Sequence, residues 1–520
     1  MTAYENLKTR FEKIININNA AAILDKEAQV SMPKNSGGDR LRQMMALAEV
    51  AHDLIAAPDV EQWLDEAEKN TASLSPEDKR NLTLMRRYWV HNASLPNELA
   101  TEVSRLGNEG QRLHTDLRKT GDWSKVKDWY GHAFDIMRTI GQIKKDKLGL
   151  SSVYEALLDT FSPGLSDATV TRELGVLEKA LPALIREATQ RQAAAQAPLP
   201  LKGPFPAAQQ EELCRRLTAA LGFDFSKGRM DMSDSHPSCG GSASDVWFTA
   251  ACDENNFLQA VYSTVHETGH ALYEQNTPEQ WRYQPVGGSI GMSVHESQSR
   301  IIEVQACHTP EFFQYLEKQA REIFNRPDDP ALSAQNLERL VNRVEPSFIR
   351  IHADEMTYPA HIILRHKLEK AIIEGTLSVN DLPQAWNDGM KNLLGITPPD
   401  ASQGCMQDVH WPTGTIGYFP AYTLGDIGAA QFFAAACKTK PEIRAEIAKG
   451  NFTPLREWLR DNVHSKGSLL TTDELFTAAT GEKLNVTHYL NHLSNRYLGK
   501  PWQAPAANAS TPDKTNKPGA

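Results

Sequence analysis

The chain has no uninterrupted apolar run of about 18 residues, the length a membrane-crossing helix needs, so no membrane span is expected. Its opening stretch, MTAYENLKTRFEKI, is charged throughout and lacks the apolar segment of a secretory signal, which points to a cytoplasmic protein. Six cysteines (Cys214, Cys239, Cys252, Cys307, Cys405 and Cys437) are scattered over 520 residues without CxxC spacing. That scatter argues against a disulfide framework and a thiolate zinc site, and fits reduced structural thiols. There is no long lysine or arginine run, and 65 acidic against 55 basic residues leave a net charge of -10, which argues against a nucleic-acid partner.

Period-two strand patterns are scarce as well. ASDVWFTAACDENN is the one clear extended candidate, placing a small hairpin just before residue 256. Helical periodicity dominates instead: LRQMMALAEVAHDLI, ELATEVSRLGNEGQRLHTDL and DELFTAATGEKLNVTHYLNHL repeat apolar residues at three and four among good helix formers. The expected fold class is mostly α. QRQAAAQAPLPLKGPFPAAQQ, rich in Ala, Gln and Pro, reads as a loop or crossover between two helical halves. APAANASTPDKTNKPGA has little to bury, so residues 504–520 are expected to be a disordered tail. No internal repeat is found, and length alone allows two to four domains of roughly 100–200 residues.

The stretch TVHETGHALYEQ, Thr264 to Gln275, puts two histidines four apart with a glutamate beside the first. Independent composition produces HExxH about 0.03 times in a chain of this length, so chance needs luck here. From Asn256 onward Phe257, Val261, Val265 and Leu272 recur at helical spacing, so one face of this segment can enter a core. His266 and His270 then stack one turn apart, where both imidazoles can reach one ion at about 2.0–2.1 Å. Glu267 lies about 100° round the helix, awkward for a third ligand but well placed to hold a water as general base. A catalytic metal needs a third protein ligand and an open position. Glu296, 296 - 270 = 26 residues after His270, is a candidate at the opening of another helix. Spacing alone leaves it at even odds, and its neighbour His295 competes, since adjacent side chains diverge and only one of the two should coordinate.

Further strings occur in order: HESQSR at His295–Arg300, IRIHAD at Ile349–Asp354, GCMQDVHW at Gly404–Trp411 and GYFPAY at Gly417–Tyr422. Together with HETGH they resemble the carboxypeptidase Taq type of metallocarboxypeptidases, over nearly the whole chain up to the tail. The resemblance implies a mostly helical, elongated fold with a deep groove, in which the small β element expected from ASDVWFTAACDENN lies beside the HExxH helix. It implies one unit over residues 1–503 with a catalytic core at about 230–425, a homodimer, and release of single C-terminal residues from peptides with broad specificity. It assigns His266, His270 and Glu296 as metal ligands and Glu267 as general base. It offers Tyr418 as oxyanion donor with His410 as accessory, Tyr422 being the fallback; packing of all three among Trp411, Phe419 and Pro420 is the bland reading.

Two departures stand out. The family pattern has HPF and DxRxT before the metal helix, whereas this chain reads HPS at His236–Ser238 and DVWFT at Asp245–Thr249. Ser238 and Trp247 therefore leave the roles of that phenylalanine and arginine unassigned. An exopeptidase acting at the C-terminus needs a cation for the terminal carboxylate, and Arg350 is the candidate, against a surface ion pair with Asp354 at i+4. One divalent ion per chain is expected, zinc first and cobalt or manganese acceptable to the same donors. Alternatives are an endopeptidase or aminopeptidase with the same site, and a silent peptide- or metal-binding protein. No GAMEN-like string is present for an aminopeptidase, and a storage site has no need of Glu267.

Overall fold

The structure, a computed structural model, describes residues 1–233 and 237–503. The predicted tail and His236 of the HPS string lie outside the described residues. The architecture is mostly helical with one three-stranded sheet. At the N-terminus, helices Ala3–Val30, Gly37–Ala56, Pro58–Lys69 and Pro76–Ala93 bury their own apolar cluster around Leu7, Phe11, Ile14, Leu64 and Met85. The first is started by a capping box, Thr2 with Glu5, which satisfies two of the backbone donors a helix start leaves free. A second and larger cluster runs from Val126 to Leu498 and contains the packing around every site residue described below.

Sequence periodicity locates helices better than their limits. DELFTAATGEKLNVTHYLNHL, one periodic run, is two helices, Thr472–Thr480 and Thr487–Leu498, because Gly481 turns the chain at φ 90°. LRQMMALAEVAHDLI is helical, yet Leu41, Met45 and Val50 are exposed. The Ala/Gln/Pro-rich stretch is helical at both ends, with non-helical chain only between Ala193 and Ala207.

The expected hairpin is present and larger than read. β2 (Cys239–Ser242) pairs antiparallel with β3 (Asp245–Ala250), with Cys239 opposite Phe248, and β1 (Gly228–Met232) adds in parallel on the other side of β3. β1 was not foreseen, since its short alternation rests on Met230 and Met232 alone, with no β-branched or aromatic residue to mark a strand. Trp247 is buried in β3 with its indole against Gly240, and Ser238 donates to Gln29 Oε1 at 2.8 Å. The two departures thus tie the sheet to itself and to the first helix.

β3 leads into the histidine helix, Phe257–Gln275, whose N-cap Asn256 accepts from the Leu258 amide. Phe257, Val261, Val265 and Leu272 are buried as their spacing requires. The glutamate helix, Gly291–Arg300, lies between this helix and a third, Pro420–Thr439. Gly269 makes the first contact possible: a Cβ there would sit 2.4 Å from the Gln298 carbonyl oxygen. Gly425 makes the second, because a Cβ there would sit 2.5 Å from Glu296 Cβ. Glu296 is mid-helix rather than at the helix opening, and the helix continues into a π-turn, Ile301–Ala306. Single π-turns inserted in helices recur at functional sites.

Candidate metal centre and active site

His266, His270 and Glu296 converge, with one ligand atom from each lying within 4.8 Å of the others. The Nε2 atoms of His266 and His270 are 3.9 and 3.8 Å from Glu296 Oε2. Ligands about 2.0–2.1 Å from a tetrahedral ion are about 3.4 Å apart, so small side-chain rotations close the set. Two imidazoles and a carboxylate suit zinc and, by donor type, its divalent neighbours.

The far nitrogens of both imidazoles have partners, a carboxylate for His266 as is usual for a metal-ligating histidine and a second imidazole for His270. His266 Nδ1 is 2.8 Å from Glu303 Oε2, which also accepts from Arg300 Nη1 at 2.7 Å, and Arg300 Nε donates to Asp426 at 2.6 Å. Burial disfavours the Glu303 anion, but Arg300 and His266 overcome it and hold its carboxyl down at about 2. His270 Nδ1 is 2.5 Å from His295 Nδ1, and His295 Nε2 is 2.8 Å from Glu274. Both His295 nitrogens are therefore occupied, and of the adjacent pair only Glu296 stands beside the Nε2 atoms of both His266 and His270. Ser299 donates to Glu296 Oε2 at 3.1 Å. Glu267 is buried on the same helix; desolvation, opposed by His266 and helped by Glu296, raises its carboxyl to about 7.

A cluster of tyrosines connects this centre to a buried guanidinium. Tyr358, Tyr418 and Tyr422 feel both the Glu296 charge and that of Arg350, and their rings pack edge to face, Tyr418 on Tyr422 at 5.1 Å and Tyr358 on Tyr422 at 6.2 Å. Burial first, then Glu296, raises the Tyr418 phenol to about 12, so it keeps its proton at neutral pH. Tyr422 is within hydrogen-bonding reach of the Tyr418 oxygen, which leaves the Tyr418 O–H free to donate elsewhere. His410 packs at a tilt 4.4 Å from Phe419 and 5.6 Å from Tyr418; burial holds its imidazole down at about 4, hence neutral, and its Nδ1 has no partner among the described residues.

Arg350 does not pair with Asp354. It opens a short 3₁₀ turn, Arg350–His352, and the next helix starts only at Tyr358, so the i+4 geometry of a helix never arises. Asp354 instead accepts from the backbone of Glu345, Met356 and Thr357. Arg350, 7% exposed, donates from Nε and Nη2 to Asp408 at 3.2 and 2.8 Å and from Nη1 to Tyr358 at 2.9 Å. Asp408 also takes Arg365, fully buried, at 2.7 and 2.5 Å. Two guanidiniums thus share one carboxylate, and the nearby His361 and His410 are held neutral by burial.

The residues missed from sequence are those that hold others: Glu274, Arg300, Glu303, Asp408, Arg365 and Glu369. Glu369 accepts from Tyr154 at 2.6 Å, the Trp411 indole at 3.1 Å and the Gly417 amide at 3.2 Å, pinning the loop that carries His410 and Tyr418. Arg300 and Asp408 lay inside strings already singled out, HESQSR and GCMQDVHW, and their charge was the available signal.

Residues 6–497 match the family described as carboxypeptidase Taq (M32) metallopeptidase. The chain belongs to the carboxypeptidase Taq family. Its members are metallocarboxypeptidases, hydrolases of peptide bonds. The chain is 31% identical over 504 residues to thermostable carboxypeptidase 1 of Thermus thermophilus, covering 95% of this chain and 98% of that one. It is 30% identical over 486 residues to carboxypeptidase 1 of Bacillus subtilis, covering 94% and 96%. Among solved structures, Trypanosoma cruzi metallocarboxypeptidase 1 superposes with a TM-score of 0.92 at 34% identity, over 95% of this chain and 99% of that one. The helical fold and the metallocarboxypeptidase assignment expected from the motifs therefore hold for this member of the carboxypeptidase Taq family, and no helix among its described residues is long and apolar enough to cross a membrane.

Proposed function

We propose that this member of the family removes single residues from peptide C-termini with broad specificity, using one divalent metal, zinc first, on His266, His270 and Glu296. When bound, the metal supplies Lewis-acid chemistry to the scissile carbonyl and to water. Glu267 accepts the proton of the attacking water and delivers it to the leaving amine, a task suited to a carboxyl poised near neutrality by burial. The free Tyr418 O–H donates to the developing oxyanion, with neutral His410 beside it as accessory donor.

The direction of cleavage rests on one observation, the excess positive charge around Asp408. Arg350 and Arg365 outnumber their single carboxylate in a buried setting, and an uncompensated buried charge is costly. Of the five N–H donors of Arg350, Nε, one on Nη1 and one on Nη2 have partners, so two at the end of the fork are unspent. A terminal carboxylate supplies both the missing charge and two acceptors in matching geometry. We also infer a homodimer, which the family resemblance supports and sedimentation of the purified protein tests.

Matched N-blocked peptides bearing a C-terminal acid or amide, incubated with the enzyme and read by mass spectrometry, test the reading. Stepwise loss from the acid peptides, near inertness of the amides, and loss of activity in chelator restored by added metal are expected. Internal cuts or equal rates on acid and amide overturn it.

A further inference from the structure

The two metal-facing histidines are held differently. His266 meets a carboxylate directly, whereas His270 meets a second imidazole, with a carboxylate only behind that. Hydrogen-bond polarity along this second chain is determined by its end. Glu274 accepts from Ser289 Oγ at 2.9 Å, and hydrogen bonds from His295 and Ser289, acting against burial, keep its carboxyl below the ordinary range. An ionised carboxylate only accepts, so His295 donates from Nε2. A His270 that offers its Nε2 lone pair to the metal carries its proton on Nδ1, so His270 Nδ1 donates across the 2.5 Å contact and His295 Nδ1 accepts. The lone pair of His270 is then on Nε2, the atom 3.8 Å from Glu296.

We propose that Glu274 and His295 form a hydrogen-bonded relay that fixes the orientation and donor atom of His270, making both of them positioning residues for metal binding. The proposal rests on the reading of His266, His270 and Glu296 as the metal site. It explains why His295 stands beside a ligand without being one: its nitrogens are spent on His270 and Glu274. It also gives Glu274, one turn beyond His270 on the histidine helix, a role that the HExxH pattern leaves out. The Tyr273 ring packs 5.3 Å from the His295 ring, and its hydroxyl oxygen accepts from the Ile290 amide at 3.1 Å, so His295 is clamped from the side as well.

The relay runs in series, which yields a test with little dependence on turnover. Cobalt(II) affinity is measured on metal-stripped protein by competition with a chelator, with the cobalt absorption spectrum as reporter of ligand geometry. Wild-type protein binding one cobalt is the control for the metal site itself; absence of binding there refutes that reading separately. Outer-shell partners of metal ligands usually contribute 10- to 100-fold in affinity. His295→Leu and Glu274→Gln should each weaken cobalt binding by about 10- to 100-fold and change the spectrum. His295→Asn places an amide oxygen near the Nδ1 position, so it should stay within about threefold of wild type, on the same scale of effects. In that background Glu274→Gln should have no further effect, because the amide oxygen accepts from His270 without help. The melting temperature of each stripped variant shows whether it folds; should His295→Leu fail to, the Glu274→Gln and His295→Asn pair decides alone. Wild-type affinity in Glu274→Gln overturns the relay, as does an undiminished effect of Glu274→Gln on top of His295→Asn.

Discussion

Replacing Arg350 with alanine tests the proposed recognition of the substrate terminus separately from the rest of the chemistry. The variant removes two unspent N–H donors, each contributing about 1.5–3 kcal/mol when the partner is charged. Together that is about 3–6 kcal/mol, or about a 10²- to 10⁴-fold fall in kcat/KM for peptides ending in a free acid. Peptides ending in an amide never gained those contacts, so their slow rate should hardly move and the two rates should converge. The fold should tolerate the change, because Asp408, though it loses the Arg350 donors, keeps Arg365 at 2.7 and 2.5 Å, and the Tyr358 hydroxyl loses one donor. Arg350→Lys keeps the charge without the fork and should fall between the two. The assay is initial-rate hydrolysis of one N-blocked peptide in acid and amide forms, with thermal melting as control. A well-folded Arg350→Ala enzyme that still prefers the acid by the wild-type margin refutes the assignment and leaves Arg350 as a partner of Asp408 only.

Other expectations concern neighbouring groups. Glu267→Gln should retain the bound metal, counted by elemental analysis, while turnover drops by about a hundredfold or more; wild-type turnover in the loaded variant removes Glu267 as the base. Asp408→Asn should cost about 3–5 kcal/mol by leaving Arg350 and Arg365 without their shared anion. At about 1.1 kcal/mol per kelvin for a chain of this size unfolding as one unit, calorimetry should record a fall of about 3–5 °C, and an unchanged midpoint contradicts the charge argument. Burial raises Glu369 from its ordinary value to about 7, so the folded state binds the extra proton between about pH 4.5 and 7. Stability from this group is therefore present below that window and declines by about 3 kcal/mol as pH rises through it. The melting difference between wild type and Glu369→Gln should shift in favour of the variant from pH 5 to pH 8; a constant difference argues against it.

What could be read without coordinates was local. The pairing of His266 with His270 follows from a four-residue spacing, and β3 from one extended string, whose hairpin partner β2 lies just before that string. Glu296 was legible only through family resemblance, because the helix-to-helix contact that brings it to the histidines depends on Gly269 and Gly425, distant in sequence. Arg350 shows why distance matters. Its nearest acid by helical spacing was Asp354, but its partner Asp408 is 58 residues on, in a loop with no periodic pattern. Glu274 and Glu303 were invisible for a similar reason: each is an ordinary helical glutamate until the fold shows which imidazole it meets.

The glycine contacts on either side of the glutamate helix carry a consequence for how the centre responds to its ion. Because backbones already touch at Gly269 and Gly425, the three helices have no slack with which to close in on a small cation. Adjustment must come from the rotamers of three side chains, whose donor atoms stand slightly wider apart than a tetrahedral ion asks. On the proposed metal reading, the cation would be a guest in a rigid socket. Unlike a zinc finger, where the metal's own binding energy folds the chain, exchange of one ion for another would then change chemistry at the centre and leave the surrounding framework in register.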